Sequence, residues 1–154
     1  MQHQKQETTD QAARRRRMAV LAQAPIEKIV ELWSATGLDP AVELLRGPES
    51  GMIALRGRIG GTGQPFQVGE VSATRVTVRI GGHVGHAMIV GRDVRHAKLA
   101  AVIDGLSEDA ELGMRLEAEI IAPLEAGIAA ADATRAAETA ATRVNFFTMV
   151  RGED

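Results

Sequence analysis

"SATRVTVRIGGHVGHAMIV", residues 72–90, is the stretch from which the fold is read. Val76, Val78 and Ile80 alternate with Arg75, Thr77 and Arg79, the period of two that marks a strand with one apolar face. Gly81-Gly82 is a two-residue hairpin signal, and "HVGHAMIV" returns as an antiparallel partner. Upstream, "GMIALRGRI" (51–59) sets Ile53, Leu55 and Ile59 on one face and Arg56 and Arg58 on the other. Two to four antiparallel strands follow, with one apolar and one arginine-bearing face.

"RGRIGGTGQPFQVGEV" (56–71) joins the first two strands and raises the question of a phosphate cradle. A P-loop requires a lysine and a hydroxyl at set places after its glycines, and Gly57–Gly63 offers neither. The dinucleotide fingerprint fails as well, because Phe66 stands where its third glycine belongs and the chain continues as strand. The glycines read as a tight connection needing positive φ, with an anion nest built from their N–H groups as the alternative. Arg56, Arg58, Arg75 and Arg79, with Gly60, Gly61, Gly63 and Arg92, are the candidate anion- or nucleotide-binding set. Guanidinium forks gathered on one sheet face would suit phosphates or carboxylates, and pairing with acids of the same or another chain is the alternative.

Helices flank the sheet. Residues 1–9 are expected to be frayed, and Asp10 caps a helix running through Arg14–Arg17 to about Ala24. Pro25 opens a second helix with Ile26, Ile29, Val30 and Trp33 on one face, ending at Gly37. Asp39-Pro40 predicts a short third helix with Leu44 and Leu45 turned inward. After Gly91, Asp93 caps a helix whose apolar set is Val94, Leu99, Val102, Ile103 and Leu106. From Glu108 the chain is helix-prone almost to Arg143, with Pro123 expected to kink or divide it. Its alanine-rich part suits a surface, or the close approach of a partner. The class is α+β: N-terminal helices, a small antiparallel sheet, then C-terminal helices including a long alanine-rich one.

Composition narrows function. The 154 residues suit one domain spanning residues 10–154, and a net charge of -2 argues against general affinity for nucleic acid or anionic membrane. There is no cysteine, so this chain supplies no disulfide, thiolate zinc site, iron–sulfur cluster or cysteine nucleophile. No signal-peptide-like or membrane-spanning stretch is present, which fits a cytoplasmic location. "RRRR" at 14–17 reads as a solvated helix surface. His83 and His86 point to opposite faces of a strand, so with His96 they make a weak metal signal; no metal site and no catalytic set are assigned. Only three Phe, one Trp and no Tyr are available as large anchors, and two of the Phe fall near the end of the chain. Phe146, Phe147, Met149, Val150 and Arg151, within a docking tail 144–154, are the candidate partner interface.

"RGRIGGTGQPFQVGEVSATR", "VGRDVRHAKLAAVIDGL", "IAPLEA" and "TRVNFFTMVRGED" together resemble PhnG, the G subunit of the bacterial carbon–phosphorus lyase machinery. The likeness runs from about Met18 to the end, with Asn145 standing where the family usually has Asp. It implies a role in phosphonate catabolism within a hetero-oligomeric core of G, H, I and J subunits. It further implies a transferase step, shared with I, H and L, in which a phosphonate displaces adenine from ATP to give α-D-ribose 1-alkylphosphonate 5-triphosphate. In the family the nucleosidase chemistry is associated with the I subunit, so this chain is expected to be an accessory subunit. It would bind no cofactor alone, with ATP as a substrate of the complex.

Overall fold

A computed structural model describes residues 9–143; the expected frayed N-terminus and the tail 144–154 lie outside the described residues, Thr9 excepted. The order is α1 (Thr9–Gln23), α2 (Ile26–Thr36), β1 (Glu43–Arg58), β2 (Pro65–Ile80), β3 (His83–Val90), α3 (Val94–Leu106), α4 (Ala110–Leu116), a π-turn (Glu117–Ile121) and α5 (Ala122–Ala141). The three strands form one antiparallel sheet in the order β1-β2-β3. The α+β reading, the two N-terminal helices and the Gly81-Gly82 hairpin are all present. Gly37 ends α2 in the left-handed region at φ 68°, where a β-carbon would be strained.

The helices lie on one face of the sheet. Val76, Val78 and Ile80 of β2 and Ala87 and Ile89 of β3 are buried against Val20, Leu21, Ile29, Ile103 and Leu116. Glycine at position 85 is required by this packing. A β-carbon there would meet the Ala101 carbonyl oxygen at 1.9 Å and the Gly105 nitrogen at 2.6 Å, so α3 touches β3 backbone to backbone. The sheet-facing side of α3 is therefore made of small residues, Ala97, Ala100, Ala101 and Gly105. This corrects the expected apolar set: Ile103 and Leu106 are buried, but Leu99 and Val102 are only half-buried and Val94 is exposed.

One further expectation fails. No helix follows Asp39-Pro40; β1 begins at Glu43, Leu44 pairs with Val78 in the sheet, and both Leu44 and Leu45 are exposed. Gly47 and Pro48 leave too few residues for a helix to nucleate, while β2 offers backbone partners on both sides of the irregular stretch between Leu44 and Glu49. Pro123 falls where the last helical run is divided: α4 gives way to the π-turn Glu117–Ile121, and α5 starts at Ala122 with Pro123 in its first turn, where a missing N–H costs little. Beyond Ile128, α5 is exposed through Ala141, as its alanine content suggests.

The arginine run corrects the reading of a solvated surface. Asp104 is fully buried on α3 and receives Arg14 Nη2 at 2.7 Å and Arg17 Nη2 at 3.2 Å from α1. Its Oδ2 also accepts the His86 backbone N–H of β3 at 3.0 Å, while Arg14 Nη2 donates to the Val84 carbonyl at 3.0 Å. The outward edge of β3 is thus closed by side chains. Arg14's pKa is raised, first by its hydrogen bond to Asp104. On the next face of α1, Arg16 bridges Glu117 and Glu125. Nearby, the buried His96 donates Nε2–H to the Leu21 carbonyl at 2.7 Å, holding α3 to the end of α1.

Asp104→Ala leaves the His86 N–H without its acceptor and leaves Arg14 and Arg17 only the part-exposed Glu108 as a carboxylate partner, so unfolding in denaturant should show a loss of about 2 kcal/mol. Gly85→Ala should destabilise strongly, because the opposing atoms are backbone and cannot yield without moving α3. A wild-type melting curve for either variant would contradict this packing.

Candidate interaction surface

Among the described residues the outer face of the sheet carries no helix, and its composition follows from the register. Opposite Val76 and Val78, the outward side chains of β2 are Arg75, Thr77 and Arg79. Arg75 pairs with Glu49 at 3.0 Å and Arg79 with Glu43 at 2.9 Å, both across to β1. Arg46 shares Glu49 at 2.6 Å. The arginines of the sheet body are therefore neutralised within the chain.

β3 pairs β2 only between Ala73 and Ile80. From there β1 and β2 run on alone as a two-stranded arm, Met52–Arg58 against Pro65–Ser72. At about 3.3 Å per residue the arm projects roughly 25 Å beyond β3. None of its residues is buried. A two-stranded ribbon is marginal by itself in water, and here its pairing continues into the three-stranded, helix-backed sheet.

The two faces of the arm differ. Ile53 pairs with Val71 and Leu55 with Gly69, so these side chains share one face with Ala73 and Arg75. A bulge then leaves Val68 as an extra residue in β2, between the Leu55–Gly69 and Arg56–Gln67 pairs. It returns Phe66 and Val68 to the same face: a β-carbon on Gly57 would meet Val68 Cγ2 at 2.7 Å and the Phe66 ring at 4.0 Å. Without the bulge, strict alternation would send Phe66 and Val68 to the opposite side. The result is one apolar strip of Phe66, Val68, Leu55, Ile53 and Val71, continuing onto the exposed Val90 and Met88 of β3. A depression of about 210 Å³ over Gly51, between Ile53, Ala73, Arg75 and Met88, lies along it.

Arg56 and Arg58 occupy the reverse face of the arm. The four arginines of the candidate anion set therefore do not gather: Arg75 and Arg79 are outward on the sheet body, Arg56 and Arg58 on the other side near the tip. The shared apolar face and shared arginine face do not extend through all strands, because the outward side of β2 is basic where that of β1 is apolar. Arg58 Nη1 donates to the Gly63 carbonyl at 3.0 Å, and Gly63 N–H donates to the Ile59 carbonyl at 3.0 Å. Gly60 and Gly61 take φ 60° and 79°, so both serve the turn that closes the arm. Among the described residues no carboxylate pairs with Arg56, Arg58 or Arg92, and all three are exposed. Asp93 caps α3 by accepting from His96 N–H at 2.9 Å, as its position before the helix suggests. Phe146, Phe147, Met149, Val150 and Arg151 lie outside the described residues.

A second concavity, of about 670 Å³, runs between α2 and α3 beside Trp33, Val42 and Leu99. His83, His86 and His96 are not brought together: His86 Nδ1 is 3.1 Å from Thr77 Oγ1, and His96 is bonded to Leu21. The residues that sequence reasoning missed are Phe66, Val68 and Val71, whose common face depends on the bulge. The one available signal was the pair Gly57 and Gly69, small positions set opposite or beside large exposed ones.

Glu49 is held below the ordinary carboxylate range, first by the hydrogen bond from Arg46 and then by that from Arg75. A depressed acid contributes stability above its unfolded-state pKa, and loses it as pH falls through the folded value. The Glu49 carboxyl should therefore titrate by NMR below the reference of about 4.3, and Arg46→Ala should move its midpoint up. An unmoved midpoint would dissolve the Arg46–Glu49–Arg75 cluster.

Comparison with known proteins places the chain. The family model described as "Phosphonate metabolism protein PhnG" matches residues 12–152. A protein of Rhizobium meliloti (strain 1021), the alpha-D-ribose 1-methylphosphonate 5-triphosphate synthase subunit PhnG, is 45% identical over 144 residues, covering 93% of this chain and 92% of that relative. With the match spanning both the helical body and the arm, the chain belongs to the PhnG family of phosphonate metabolism proteins.

Proposed function

We propose that this chain is an accessory subunit of a synthase that makes α-D-ribose 1-alkylphosphonate 5-triphosphate, in the step where a phosphonate displaces adenine from ATP. The full-length likeness to a relative named as a synthase subunit supports this, since a subunit works through partners. The observation that carries it in the fold is the apolar strip along a sheet face and arm that no other described residue covers. Strips of this length on a protein of this size mark surfaces completed by another chain. The partners are the H, I and J subunits, with L joining for the transferase step, and the site of action is the cytoplasm. ATP and the phosphonate are substrates of the assembled complex, and this chain holds no cofactor by itself.

Reconstitution tests the reading. Purified partner subunits, ATP and methylphosphonate should form α-D-ribose 1-methylphosphonate 5-triphosphate only when this chain is added, with the product falling to background when it is left out. Undiminished formation of that product without the chain would overturn the proposal.

A further inference from the structure

The two faces of the arm ask for different surroundings, and this defines the surface that receives it. On one face, Leu55, Phe66 and Val68 are 41, 46 and 60% exposed, and Ile59 at the turn is 74% exposed. On the other, Arg56 and Arg58 extend from the same short ribbon. Arg46, Arg75 and Arg79 of the sheet each have a carboxylate partner, as do Arg14, Arg16 and Arg17 of α1. Arg56 and Arg58 have none among the described residues, and the arm's one carboxylate, Glu70, pairs across to Ala54 rather than to either arginine.

We propose that the arm inserts into a cleft on another subunit, with an apolar wall against Leu55, Phe66 and Val68 and a carboxylate-bearing wall against Arg56 and Arg58. Contact on one face alone would leave either the apolar strip in water or both guanidiniums without a counter-charge. Planar guanidinium forks are suited to carboxylates and lose little freedom on pairing, so the second wall sets register while the first supplies burial. A second copy of this chain, packed strip to strip, would cover only the apolar face. The proposal rests on the subunit reading above and specifies the partner's surface.

The test is co-expression of a tagged chain with the remaining synthase subunits, followed by affinity capture and measurement of retained partner. Arg56→Glu, which keeps the Arg58–Gly63 bond, and the double reversal R56E/R58E should lower retention about tenfold or more. Leu55→Asp should do the same through the apolar wall, while Arg56→Lys should restore most of the retention. The thermal melting of each isolated variant should match wild type, because no arm residue is buried. Wild-type retention by R56E/R58E would overturn the carboxylate wall, and wild-type retention by Leu55→Asp the apolar one. If Leu55→Asp abolishes a homodimer in light scattering yet leaves partner capture intact, the arm serves a second copy and the proposal falls. Failure of the wild-type chain to retain any subunit would instead overturn the subunit reading itself.

Discussion

The Asp104 carboxylate is the constraint on which the rest of the structure depends. It is fully buried, yet it is met by two arginines of α1 and by the backbone of β3. A buried charge is tolerated only when its lone pairs are filled by donors, and here the donors come from two other elements. α1 therefore cannot leave its place over the β3 edge without exposing an unmatched carboxylate in the core. With α3 tied down at Asp104 and His96, it approaches β3 closely enough to demand glycine at 85.

That arrangement makes the sheet asymmetric. The β3 edge and the inner face are closed, by Arg14 and by the helical layer respectively. Among the described residues the β1 edge and the outer face are left open, and Arg75 and Arg79 of the sheet body are neutralised locally by Glu49 and Glu43. An arm of two paired strands then extends past the point where β3 ends. A bulge of one residue keeps its large side chains together on one side. Such a molecule is rigid where it folds on itself and unfinished where the family's partners would be met.

Much of this was legible before any coordinates. The alternation through Val76, Val78 and Ile80, the Gly81-Gly82 turn, Pro25, Gly37 and the Asp93 cap are local signals, and each produced the element expected. The errors share a cause, which is that they concern distant pairing. Leu44 and Leu45 look like a helix face until β2 is placed beside them. Val94 and Leu99 look like core until α3 turns its small residues to β3 and leaves them lining the concavity beside α2. Arg14 and Arg17 look solvated because the carboxylate that binds them is 87 to 90 residues away.

The candidate surface divides in the same way. Arg56 and Arg58 alternating with apolar neighbours could be read from period alone, since successive strand residues face opposite sides. That they stand apart from Arg75 and Arg79 could not, because faces in different strands are matched by register and register is set by pairing. The composition settled that this chain carries no thiolate chemistry and must find its burial among Val, Ile, Leu and Ala. Only the tertiary structure decided which of those residues the fold consumes and which, along the arm, it leaves for another surface. Helix layers cover as much sheet as their length and close packing allow, and here they leave the arm without a buried residue.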